Sequence, residues 1–162
     1  MKKVILAKEG YIKLTRQTLY EFFKKKFNNE IFVYYNDTTD KEKGYVKLDN
    51  PTFDEKGEIT KDSPFRFFYF SNKDMGNRYI RKKYDINAWI NADDIDYDGD
   101  RDDVDLINIL ENQGIENSIN IYFPISIIEI PDDMEYYITY VDNKGEFLHE
   151  KHRVYNIDGL VE

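Results

Sequence analysis

Between residues 93 and 105 the chain places eight aspartates, Asp93, Asp94, Asp96, Asp98, Asp100, Asp102, Asp103 and Asp105, around Gly99 and Arg101. Like charges this close repel one another, so the run needs a compensating partner. A bound cation, a basic protein surface, or water and salt would each serve, and each implies a different role. The rest of the chain must fold so that one of them is available.

The flanking segments have the material for a core. Hydrophobic residues make up 41% of the 162 positions and aromatic residues 16%, which excludes a disordered polymer and suffices for one domain. The apolar run at 4–6 predicts a first strand. Residues 15–27 have helical spacing: Leu19, Phe22, Phe23 and Phe27 share a face, Thr15 can cap the start, and Lys24, Lys25 and Lys26 suit the negative end of the dipole. Residues 30–35 are β-branched and aromatic and predict a buried strand, with 45–48 as its pairing neighbour.

The row Phe65-Arg66-Phe67-Phe68-Tyr69-Phe70 predicts a central strand, and 77–91 can form a helix with Ile80, Tyr84, Trp89 and Ile90 on one side. After the aspartates, 104–111 is helical in pattern and Gly114 is a ready terminator. Residues 119–123 and 125–130 predict strands broken by Pro124. Residues 135–141 and 146–155 flank Asp142-Asn143-Lys144-Gly145, a strong hairpin signal. The expected architecture is a single α+β domain over 1–162, a mostly antiparallel sheet with two or three helices.

Aligned from Asp94, the aspartates fall at the ligand positions of an EF-hand loop: Asp94, Asp96, Asp98, Asp100, Asp102 and Asp105 at 1, 3, 5, 7, 9 and 12, with Gly99 at 6. Calcium takes six to eight hard oxygens at about 2.3–2.6 Å, and alternate residues of a tight loop can aim carboxylates inward. Metal ligands in this reading are Asp94, Asp96, Asp98, Asp100 and Asp105, and the cofactor is Ca2+. Arg101 stands at position 8, where an apolar residue normally ties the loop to a partner hand. Asp105 is shorter than the usual glutamate, and no second hand is present.

The second reading is an interaction surface. Dense carboxylates imitate the phosphate row of a nucleic acid and fit the basic groove of a nuclease or toxin. Partner-binding residues are then Asp93, Asp94, Asp96, Asp98, Asp100, Asp102, Asp103 and Asp105, with tyrosines as rim anchors. In size and charge the chain is similar to the small acidic proteins by which phages disable host defence nucleases (anti-CRISPR-like inhibitors) and to immunity proteins that neutralise basic toxins. In the third reading the run is solvated, with Asp102 or Asp103 capping the following helix.

Net charge is −9, while residues 1–29 carry eight Lys and Arg against Glu9 and Glu21. Lys24 to Lys26 and Arg16 are thus available to offset the aspartates within the fold. So acidic a chain is a poor nucleic-acid binder. No stretch approaches the roughly 20 apolar residues of a membrane span, and zero cysteines fit a reducing cytoplasm. His149 and His152, three apart on a strand, do not make a metal pair. Gly-rich phosphate loops and serine elbows are missing, so the expectation is a cytoplasmic, non-catalytic binding protein.

Overall fold

The computed structural model describes residues 1–37, 44–60, 66–79, 95–97, 99–150, 154–156 and 159–161. They form a small α+β domain in which every strand pairing is antiparallel.

β1 (Lys2–Ala7) is the spine of the molecule. It pairs on one side with β6 (Ile125–Ile130), from Lys2 opposite Ile130 to Ala7 opposite Ile125. α1 (Arg16–Lys26) follows, with Thr15 accepting the Thr18 N–H at its start and Lys24 to Lys26 in its last turn. Asn28 and Asn29 reverse the chain in the left-handed region, and the Asn29 N–H closes on the Lys24 carbonyl at 2.7 Å. β2 (Phe32–Asp37) then enters a four-stranded sheet with β3 (Tyr45–Leu48), β4 (Arg66–Ser71) and β5 (Arg78–Tyr79), in the order β4-β2-β3-β5.

After the aspartate run come α2 (Val104–Gln113) and the short α3 (Ile115–Ser118), separated by Gly114. β7 (Tyr136–Val141) and β8 (Gly145–Glu150) form the expected hairpin. β9 (Val154–Asn156) and β10 (Gly159–Val161) pair with each other.

One core joins these pieces. Leu19, Phe22 and Phe23 of α1 meet Leu106, Ile107 and Leu110 of α2 in a cluster that also takes Ile5 of β1, Val33 of β2 and Phe70 of β4. Fully burying a side chain of this size contributes about 1.5–3 kcal/mol. The helices therefore lock β1 and the four-stranded sheet to the segment that carries the aspartates.

Three expectations change. β4 is the outer member of its sheet among the described residues, because β2 uses both edges, pairing with β3 on one and β4 on the other. Residues 119–123 do not make a strand. Ile119 contributes one bridge to Leu14, and then the Asn120 side chain accepts the Tyr122 N–H at 3.0 Å while the Asn120 carbonyl accepts the Phe123 N–H at 2.9 Å. That asparagine turn outcompetes a ladder and leaves Ile121 and Tyr122 exposed. Within 77–91, Arg78 and Tyr79 pair with β3 as a strand, and 80–91 lie outside the described residues.

Candidate functional site

The aspartate run splits into different roles. Asp93, Asp94 and Asp98 lie outside the described residues. Asp96 and Asp105 are exposed, Asp105 in the first turn of α2, where a negative charge suits the helix dipole. Asp103 caps α2, accepting the Leu106 N–H at 3.0 Å. Asp102 accepts a hydrogen bond from the Tyr136 hydroxyl at 3.0 Å.

Asp100 and Arg101 are buried, at 3% and 8% exposure. Asp100 receives Lys26 Nζ on both oxygens, at 2.9 and 3.1 Å, and the Asp96 N–H at 2.8 Å. The lysine run at the end of α1 therefore neutralises an aspartate inside the fold. Arg101 forms a two-pronged pair with Glu146, each nitrogen–oxygen distance being 2.8 Å.

Arg101 also completes β1. Its carbonyl accepts the Ile5 N–H at 3.0 Å, its guanidinium donates to the Ile5 carbonyl at 3.0 Å, and Glu146 accepts the Ala7 N–H at 2.6 Å. The edge of β1 away from β6 thus finds its partners in one arginine and one glutamate instead of a strand. These bonds hold the loop 99–102 and the β7–β8 hairpin to β1.

Between them runs an open cleft of about 1030 Å³. Five carboxylates line it: Asp102, Asp132, Asp133, Glu135 and Glu146. Lys2 and Arg101 are its only cations among the described residues. Arg101 is held by Glu146, and Lys2 lies 5.2 Å from the ring of Tyr136. Tyr97, Tyr136, Tyr137 and Tyr140 supply aromatic surface.

Burial first, and then the bond to Asp102 and its charge, push the Tyr136 phenol up to about 12. Desolvation and the charges of Asp142 and Glu9 also raise the Tyr140 phenol. Both therefore stay protonated at neutral pH, as donors and neutral rings. An electronegative cleft walled by rings favours a cation, through charge and through the ring faces.

Of the expected contact residues that the structure describes, only Asp102 lines this cleft. Sequence reasoning missed Asp132, Asp133, Glu135 and Glu146. The available signal was a second acidic run directly before the tyrosines at 136, 137 and 140. His149 stacks on Tyr137 at 4.8 Å and bonds Thr139 at 2.8 Å across the hairpin, and His152 lies outside the described residues. No helix among the described residues is long and apolar enough to cross a membrane. Comparison with protein families, with characterised proteins and with solved structures finds no match.

Proposed function

We propose that this chain is an acidic, non-catalytic binding protein of the cytoplasm that inhibits a basic, nucleic-acid-processing protein such as a nuclease or toxin. Lys and Arg side chains of the partner lodge in the cleft beside β7, and the carboxylates stand where the partner would otherwise hold phosphates. The observation that carries this reading is the cleft's lining, five carboxylates against Lys2 and Arg101; Arg101 pairs with Glu146 inside the fold and the N-terminal ammonium pairs with Asp132 at 3.0 Å, so the lining keeps a negative excess. Tyrosines around a charged centre are what protein contact surfaces are enriched in.

Among the described residues the contact centres on Asp102 and the acids of 132–135. Asp100 and Asp103 serve the fold. The test is titration with a Lys/Arg-rich peptide at rising salt, together with assay of nucleic-acid degradation in a host extract. Affinity is expected to fall steeply with salt, and by roughly tenfold, or about 1.4 kcal/mol, when Asp102, Asp132 and Asp133 are changed to asparagine. Salt-independent or absent binding, with degradation unaffected by the added chain, sinks the reading.

A calcium role keeps one specific support. Arg101, at loop position 8, is tied through its main chain to Ile5, and Asp105, at position 12, lies in the first turn of the exiting helix. Position 12 is where an EF-hand loop supplies its last carboxylate. Among the described residues no three acidic or histidine side chains converge to hold an ion, so the site would depend on Asp94 and Asp98. Calorimetric titration decides: binding tighter than about 1 mM that is lost on Asp94→Ala supports it, and no heat at millimolar calcium removes it.

A further inference from the structure

β7 reads Tyr136-Tyr137-Ile138-Thr139-Tyr140-Val141, six residues without a charge, a proline or a glycine. Its pairing with β8 satisfies one edge, and among the described residues no strand pairs with the other. Tyr137, Tyr140 and Val141 are 48%, 45% and 43% exposed. An uncharged, β-prone edge of this length is a template for another strand, which folded proteins normally blunt with lysine, proline or a bulge. None of these devices is present within β7.

Five consecutive β7 residues, 136–140, line the acidic cleft. The cleft therefore follows β7 along most of its length. The carboxylate row lies beside the strand whose second edge no described strand covers.

Charge selects the occupant. A second copy of this chain would bring two surfaces of the same sign together, −9 facing −9, with Asp142 opposite Glu135 in an antiparallel pairing of two β7 strands, and like charges across paired strands are destabilising. A strand with Lys or Arg at alternate positions instead meets Asp102 and Asp133 along the cleft and Asp142 beyond its far end. We infer that the free edge of β7 receives an extended Lys/Arg-bearing segment of the protein partner as an added strand. Main-chain hydrogen bonds to β7 supply affinity, and alternate cationic side chains in the cleft supply specificity. This inference rests on the basic-partner reading and adds how that partner is held.

The test uses the full chain and two peptides of equal charge, an eight-residue alternation of lysine and threonine and the same peptide N-methylated at every amide. The first is expected to bind at least about tenfold more tightly than the second, and to slow hydrogen exchange at β7 amides that β8 leaves free. Equal binding of the two overturns strand addition while the basic-partner reading stands. Binding of neither overturns both. Dimerisation of the chain alone with protection of β7 overturns the inference by making a second copy the occupant.

Discussion

Arg101 and Glu146 meet through two parallel bonds of 2.8 Å, with their side chains only 10% and 5% exposed. The pair joins the aspartate loop to the hairpin, and both residues also bond the main chain of β1. Removing one charge leaves the other buried without its counter-ion. Glu146→Gln is expected to destabilise the protein by about 3–5 kcal/mol, measured by urea unfolding. Adding Arg101→Met to that variant should recover part of the loss, because an apolar replacement leaves no orphaned charge. A loss below about 0.5 kcal/mol for the single variant would place the pair among ordinary surface contacts.

The aspartates are expected to separate by role. Asp100→Asn weakens charge-assisted bonds to Lys26 and the Asp96 N–H, and should cost about 1.5–3 kcal/mol. Asp103→Ala removes a helix cap and should cost about 1 kcal/mol. Asp105→Asn loses only a favourable dipole contact, about 0.3–1 kcal/mol. Thermal or urea unfolding of the three variants gives the order, and equal small losses would mean that the whole run is solvated.

The sequence carried the local structure well and the long-range pairing poorly. α1 was legible because Thr15, the Leu19/Phe22/Phe23 face and three terminal lysines all favour the same helix. α2 was legible through Asp103 and Gly114. The aromatic row of β4 showed strand character, but periodicity carries no information about which edge a neighbour covers. In the aspartate run, density was visible and pairing was not. Lys26 and Asp100 are 74 positions apart, and Arg101 and Glu146 are 45 apart. Which acids are consumed inside the fold depends on how α1 and the hairpin dock, and no local pattern reports that.

Hairpin docking has its own test at Gly145. Its φ of +91° is one that side-chain-bearing residues avoid, and a Cβ there would stand 3.0 Å from the Lys8 carbonyl oxygen and 3.1 Å from the Lys8 Cα. Both contacts are backbone and cannot swing aside. Gly145→Ala is expected to cost about 1–3 kcal/mol through strain. It should also raise hydrogen exchange in β7 and β8 more than in α2. Uniform loss of protection across the molecule would mean that the hairpin and helices open together.

Tyr136 sets the alkaline behaviour. In the unfolded chain its phenol ionises near 10.0, and in the folded chain near 12, chiefly because of burial and then because of Asp102. Between these values the folded protein keeps a proton that the unfolded chain has released. Tyr136 therefore contributes a loss of stability as pH rises from 10 towards 12. Tyr136→Phe gives up the bond to Asp102, costing about 1 kcal/mol near pH 8, but has no phenol to ionise. Urea unfolding of both proteins at pH 8, 10 and 11 should show the gap between them closing above pH 10. Lys3 and Lys47, both raised chiefly by carboxylate bonds, also lose stabilisation at high pH, but do so equally in the two proteins. A gap that stays constant to pH 11 would show that the Tyr136 proton is not held by the fold.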